Sequence, residues 1–383
     1  MTSGTSEIHS RRGGAGPLPP ITTPLRALRR RLGIWRFRRW VNERPQAIQI
    51  TAGDTWRHLR LTAAGERHIH VVRETTRPNN WDFFRWLEAK HPEHAGLFRH
   101  TTTGGLLSAP VRGTALLIPW IRDPVRERDP LLFQRLLALE SRHMRAGIPI
   151  VNPVSHLSNA IKSTALARLR QAGFTTARTL ALSPQHSFGA VAAAVGLPFI
   201  VRNDQGHGGY VRLVRSSADF RQIDWSQLIH PVALEYIETQ SADGFYRKYR
   251  FVVAGDSGIS RHMIVARSWC VHAADRVRGQ SWADEEQAFL EAPNPYEEPL
   301  VRAARALALD FVAFDYSIDA NDRLVIWEPN PFPRLWPGHY SEDRYYDFQH
   351  ASVDKLFNHM LRFYLRRANM ETALQEQRDG CLC

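Results

Sequence analysis

From Phe311 to Asp319 the chain alternates apolar residues with small or polar ones, and Leu324 to Asn330 does the same after the turn stretch Ala320, Asn321, Asp322, Arg323. The pattern predicts a β-hairpin in which Asp319 faces Leu324. Counting back from that pair sets Asp315 directly opposite Glu328, with Asn330 two residues further along the same side. Val312, Phe314, Tyr316 and Ile318 then lie against Val325 and Trp327 on a core-facing side. Like charges on opposed strand positions, with β-carbons about 4.5–5.5 Å apart, destabilise the pair. The face therefore needs a compensating cation. A divalent ion suits two carboxylates and an amide, because a hard cation takes oxygen ligands; neighbouring arginines are the alternative. A slip of one residue would send the whole set to the other face.

Elsewhere the periodicity predicts two further regions. Between about Ala47 and Asn152, "AIQIT", "HIHVV", "ALLIPWI" and "IPIV" read as strands, while "WDFFRWLEAK" and "LLFQRLLALESRHMRAG" read as helices, the second stopping at Gly147. Strand, helix, strand in that order indicates a small α/β domain. Asn80, at the start of the first helix, is a weak candidate for anion binding. From Asn159 a helix leads into "LPFIVRNDQGHGGYVRLVRS", a buried strand, a glycine-bearing turn and a second strand. Gly206, Gly208 and Gly209 would let backbone amides approach a phosphate closely, although Gly-Gly turns also serve hairpin geometry alone. The runs "VALEYIE", "DGFYRKYRFVVAG" and "RHMIVARSWCVHA" continue as strands and bring in Glu235, Glu238, Lys248, Arg250, His262, Arg267 and His272.

Composition narrows the class. Lys plus Arg number 50 against 38 acids, a net charge of +12, and 43% of residues are apolar. Lys90, Lys162, Lys248 and Lys355 are the only lysines, so arginine carries nearly all the positive charge. This surplus favours nucleotide, acidic peptide, nucleic acid or a membrane surface without choosing among them. Seven arginines and three aromatics fall between Arg26 and Trp40 with no acid among them, which reads as an interaction arm, a helix capping the next domain or a solvated tail. Cys270, Cys381 and Cys383 are too few for a disulfide framework or a zinc site and fit a reducing compartment such as the cytoplasm. No stretch reaches 18 apolar residues, so no spanning helix is expected. Walker, Rossmann, Gly-x-Ser-x-Gly and His-Glu-x-x-His patterns are all missing; "KHPEHAG" reads as a polar helix edge.

In order, these segments resemble the ATP-grasp superfamily, in its glutathione synthetase and ribosomal-protein glutamate ligase-like branch, over roughly residues 113–340. "VNPVSHLSNAIKS" is similar to the segment after the preceding domain, and Lys162 matches a lysine used on nucleotide phosphates. "PFIVRNDQGHGGYVRLV" resembles the lid hairpin with its glycine loop, and "LEYIE" resembles the hinge. There the backbone after Glu235, at Tyr236 and Ile237, would meet adenine, and Glu238 the ribose. Arg250 matches the basic residue beside the γ-phosphate, and Asp315, Glu328 and Asn330, the last two within Glu-x-Asn-x-x-Pro, match the metal-binding set. One departure stands out: the lid strand carries Arg202 where the family has lysine, and a planar fork is not equivalent to a point charge.

The resemblance implies an α/β and α+β chain with an ATP-grasp fold. Residues 1–44 would form a basic arm, 45–156 an α/β domain, 157–350 the ATP-grasp domain (lid about 175–234, core about 235–350) and 351–383 a helix and tail. It implies ATP and Mg²⁺ (or Mn²⁺) as cofactors and a ligase that joins a carboxylate to an amine through an acyl phosphate. Catalysis would rest on Arg250 and Lys162. Lys162, Arg202, Gly206, Gly208, Gly209, the hinge and Lys248 would hold nucleotide, with His262 and Arg267 as substrate contacts. Small-molecule or peptide acids and amines are the expected partners, and homodimers are common in this fold. Two alternatives stand beside the ligase: a nucleotide-binding protein of the same fold that does not catalyse, and a peptide or RNA recognition protein using the basic arm.

Overall fold

The computed structural model describes residues 66–74, 82–103, 112–205, 209–335 and 344–371. The chain separates into Met1–Gln49 and Ile50–Cys383, and the described residues all belong to the second unit. The basic stretch at 26–40, "AIQIT", Asn80, Gly206, Gly208 and the terminal Cys-Leu-Cys lie outside them.

"HIHVV" forms β1 (His68–Arg73), flanked in a parallel sheet by β2 (Phe98–Thr102) and β3 (Thr114–Trp120) in the order β2-β1-β3. The apolar runs of β1 and β3 are almost continuous because both faces are covered. Helices α1 (Asp82–Lys90) and α2 (Pro130–Arg145) do the covering; Asp129 caps α2 through the Leu132 amide, and Gly147, at φ +69°, ends it. "IPIV" contributes a single parallel bridge between Ile150 and Leu117 rather than a strand. Pro149 cannot donate to a ladder, which keeps the pairing short.

Beyond α3 (Lys162–Gln171), two antiparallel sheets follow. The first, in the order β4-β7-β5-β6, comprises β4 (Thr179–Ala181), β5 (Phe199–Asn203), β6 (Val211–Val214) and β7 (Pro231–Glu235). Helix α4 (Phe188–Val195) packs Val191 and Val195 onto it. The second, in the order β11-β10-β8-β9, comprises β8 (Tyr246–Ala254), β9 (Ser257–Ala266), β10 (Phe311–Ile318) and β11 (Leu324–Asn330). On one of its faces Val312, Phe314 and Tyr316 pack with α5 (Glu297–Ala306) and α3. On the other, Phe311 and Ala313 join a core shared with Phe83, Trp120 and the long helix α6 (Phe348–Arg367). The expected α/β unit followed by an α+β body is what the chain forms, and α6, which the sequence set apart as a terminal element, is part of the core that joins them. Asn152 reinforces the joint by exchanging two hydrogen bonds with the Phe311 backbone, at 2.6 and 2.9 Å.

The hairpin forms with one correction. Ile318, not Asp319, pairs with Leu324, and a register shift between Asp315 and Tyr316 inserts Trp327 as an extra residue on β11. Asp319 leaves the ladder because its carboxylate accepts from the amides of Asn321 and Arg323 and from the Arg323 guanidinium. The bulge then restores Asp315 opposite Glu328. Between the two irregularities the faces exchange: Ile326, rather than Val325 or Trp327, joins the core with Phe314 and Tyr316, while Val325 pairs with Ser317.

The β8–β9 turn is closely packed. A Cβ on Gly258 would sit 2.3 Å from the Phe251 ring and 2.5 Å from the Val252 carbonyl oxygen. Gly258→Ala is expected to destabilise the fold by about 1–3 kcal/mol, the range for overpacking, read as a lowered urea midpoint.

Candidate active site

Odd-numbered residues of β10 run from core to cleft: Phe311 and Ala313 are packed away, while Asp315 and Ser317 border open space. Asp315 pairs in register with Arg250 on β8 and Glu328 on β11, and Arg250 pairs with His262 on β9. One row across the sheet therefore reads His262, Arg250, Asp315, Glu328. Arg250 donates both arms of its fork to Asp315, Nε at 2.6 Å and Nη2 at 2.9 Å, and the Lys248 ammonium lies 3.6 Å from the same carboxylate. Glu328 faces Lys162 Nζ at 3.3 Å and Arg202 Nη2 at 3.7 Å. Four cations thus surround two carboxylates. The repulsion foreseen for this pair is offset by side chains, and the surplus of positive charge leaves the cleft attractive to anions.

Burial shapes these groups. It would raise the Asp315 pKa, yet Arg250 and Lys248 outweigh it and hold the carboxyl below the usual range. Burial lowers the Lys162 pKa, Glu328 opposes that, and Arg202 adds to it. Asn330, buried at the end of β11, accepts the Phe332 amide at 2.9 Å.

Arg202, Lys248, Arg250, Asp315, Glu328 and Asn330 border a cavity of about 470 Å³ between the two antiparallel sheets, a size suited to a small-molecule ligand. Part of its wall is apolar: Leu166, Ile200 and Leu234 form one cluster with Ile237 and Trp269 packed against it. The polar part carries Arg202, Lys248, Arg250, Asp315, Glu328 and Asn330. Two carboxylates and a carboxamide on one wall are the donor set of a hard divalent cation, and Mg²⁺ fits that chemistry.

The expected residues do not all converge. Glu235, Tyr236 and Ile237 all line the cavity, with the Glu235 carboxylate held by Arg178 at 3.0 and 3.2 Å. Glu238 accepts the amides of Thr239 and Gln240 and the Tyr236 hydroxyl, and does not line the cavity. Lys162 reaches the site through Glu328 and is itself buried. Gly209, with φ +93°, lies in the turn after β5. His262 sits beside Arg250 without bordering the cavity, and Arg267, just past the end of β9, lies 5.1 Å from the Phe245 ring centroid. His272, brought in by the strand pattern, lines the cavity, as do Arg122 and Asp123 at the carboxyl end of β3, Arg334 after the hairpin, and Cys270, which the sequence motifs do not point to. A readable signal existed for Arg122 and Asp123, since ligands gather at the carboxyl ends of parallel strands.

Buried histidines set an acid limit on stability. Burial is the main cause that lowers the pKa values of His143, His262 and His359, with Arg250 adding to the effect on His262. The unfolded chain takes up protons below its ordinary value of 6.5, while the folded chain resists doing so to lower pH. Stability from this source is flat above that value and falls as pH drops beneath it. The melting temperature is expected to decline from pH 6.5 towards 5, with a shallower slope in His143→Gln.

No family model matches the sequence, and no curated protein matches it. Among solved structures, the ATP-grasp ligase PsnB complexed with precursor peptide PsnA2 and AMPPNP is 17% identical with a TM-score of 0.49, covering 76% of this chain and 98% of its own. The macrocyclase MdnC bound with precursor peptide MdnA from Microcystis aeruginosa MRC is 14% identical with a TM-score of 0.48, covering 76% and 99%. The D-alanine-D-alanine ligase from Coxiella burnetii is 10% identical with a TM-score of 0.49, covering 82% and 100%. At these values the likeness carries no weight alone, and the functional reading rests on the side chains of the cleft.

Proposed function

We propose that this chain is an ATP- and Mg²⁺-dependent ligase of the ATP-grasp type, joining a carboxylate to an amine or similar nucleophile through an acyl phosphate. The observation that carries the reading is the meeting, around one cavity, of an oxygen-ligand trio with Lys248 and Arg250 on one sheet and Arg202 on the other, beside an apolar patch that includes Ile200 and Leu234 of that second sheet. An apolar patch with a cationic neighbour suits a nucleotide base and its phosphates.

In the proposed reaction a substrate carboxylate oxygen attacks the γ-phosphorus, the bond to the β–γ bridging oxygen breaks, and ADP leaves. The amine then attacks the acyl carbon and inorganic phosphate departs, with the amine proton passing to solvent. Asp315, Glu328 and Asn330 would hold Mg²⁺, which when bound supplies charge neutralisation across the phosphates. Arg202, Lys248 and Arg250 orient the triphosphate and stabilise charge that grows on transfer. Lys162 acts through Glu328, fixing that carboxylate from behind. Arg250 is already fixed by Asp315, so its guanidinium needs little reorganisation. The turn after β5 is tethered by Asp204, which accepts from the Ser163 amide at 2.8 Å and hydroxyl at 2.6 Å. That tether joins the glycine-bearing segment to the start of α3, next to Lys162.

The test incubates the purified chain with ATP, Mg²⁺ and panels of acids and amines, following ADP release and product mass. Acid-stimulated ADP release with a new amide mass supports the ligase. The second reading, a non-catalytic nucleotide binder, draws on Arg202 and on the occupation of both Asp315 oxygens by Arg250; an ATP-dependent thermal shift without turnover across every panel would favour it.

A further inference from the structure

On the α/β unit, the sequence "KHPEHAG" brings two imidazoles to one carboxylate. His91 Nδ1 lies 3.1 Å from Glu93 Oε1, and His94 Nε2 lies 3.8 Å from the same oxygen. The three ligand atoms all fall within 4.8 Å of one another. We propose that His91, Glu93 and His94 form a binding site for a Zn²⁺-class divalent ion, separate from the cation site proposed in the cleft.

Three features support it. First, ligands about 2.0–2.1 Å from a tetrahedral ion stand about 3.3 Å apart; the 3.1 Å separation is near that edge length, while the 3.8 Å one and the separation of the two imidazoles, within 4.8 Å, need a side-chain rotation to reach it. The 3.8 Å separation is also too long for a hydrogen bond, so hydrogen bonding does not explain why His94 points at an oxygen that His91 already meets. Second, the backbone is fixed beforehand. The His91 carbonyl accepts both the His94 and Ala95 amides, and Pro92 opens the short helical turn Pro92–Ala95. His91 and His94 are three residues apart and so lie on one side of that turn. Third, burial is graded: the His94 side chain is 5% exposed, against 30% for His91 and 35% for Glu93. An inner ligand with two outer ones leaves a fourth position towards solvent. Imidazole with carboxylate selects transition metals over Mg²⁺.

The site's position gives it a structural consequence. The His91 ring lies 4.9 Å from Trp86, whose indole Nε1 donates to Asp354 on α6 at 2.7 Å. An ion here would brace the end of α1 against the helix that joins the two parts of the body.

The test uses the full chain stripped of metal and titrated with Co²⁺ in excess Mg²⁺, which occupies hard oxygen sites. One equivalent is expected to bind with the visible absorption of a four-coordinate ion, to be displaced by Zn²⁺, and to raise the melting temperature. His91→Gln and Glu93→Gln, both at partly exposed positions, are each expected to weaken binding at least about 10- to 100-fold, the range known for disturbing even outer-shell partners. Failure to bind Co²⁺, binding by both variants as tight as by the unsubstituted chain, or an intense near-ultraviolet thiolate band placing the ion on cysteine would each overturn the proposal. None of these outcomes bears on ligase activity, so the two readings fail independently.

Discussion

Glu328→Gln is expected to lower acid-dependent ADP release about 10²–10³-fold, the loss typical of removing one preorganised electrostatic group, while ATP still raises the melting temperature. The substitution keeps shape and removes one charge. Glu328 meets Lys162 at 3.3 Å and Arg202 at 3.7 Å, both longer than the 2.6 and 2.9 Å fork that holds Asp315. It is therefore the group best able to turn towards a bound cation. Its loss also leaves three cavity-lining cations facing Asp315 alone, so the empty cleft becomes more positive and ATP without metal should bind at least as well as before. The defect should appear as a rise in the Mg²⁺ concentration needed for half-maximal rate and as a lower rate at saturation. Unaltered rate and unaltered Mg²⁺ dependence would remove the oxygen trio from the mechanism, and with it the main support for a ligase.

How much of this was legible beforehand depends on which physical term decides each element. Period-two alternation located the hairpin, and the pairing of Asp315 with Glu328 emerged correctly even though the turn was placed one residue off. Two departures cancelled: Asp319 turned its carboxylate to the loop amides, and Trp327 bulged. Neither is visible in hydrophobic periodicity, because an Asx turn is decided by one side chain and a bulge by local twist. The consequence fell on Val325 and Trp327, whose side of the sheet changed. Trp327 now donates to the Ser317 hydroxyl at 2.8 Å on the cleft side. His262 shows a different limit. Register places it in the row with Arg250, but whether a side chain in a row meets a cavity depends on what lies above it, which one strand's sequence does not contain. Arg122 and Arg334 come from separate parts of the chain and meet at the cavity only through tertiary packing. Glu235 has the opposite history: a hinge acid by pattern, it is engaged by Arg178, a partner 57 residues away.

The Arg250–Asp315 pair yields the second large effect. Each side chain is mostly covered, at 16% and 6% exposure, and the pair is bidentate. Breaking a buried pair leaves one charge without its partner and costs about 3–5 kcal/mol, whereas replacing both members with apolar residues is often close to neutral. The two single variants should not be equal. Arg250→Met leaves Asp315 with Lys248 still 3.6 Å away, which softens the loss. Asp315→Leu leaves Arg250 and Lys248 facing each other, with Glu328 as the nearby carboxylate, itself already set against Lys162 and Arg202. Asp315→Leu is therefore expected to lie at the upper end of the range and Arg250→Met at the lower. The double variant should recover most of the loss, giving a coupling energy that is a large fraction of either single effect. Urea unfolding of the four chains, without nucleotide, provides the cycle. Additive losses would mean that the fork holds no more than its two separate burials, and Arg250 would then have no preset geometry to offer a phosphate. A strong coupling with an inactive double variant would instead separate the two duties of this row, since the sheet can be held together by apolar side chains while a triphosphate cannot.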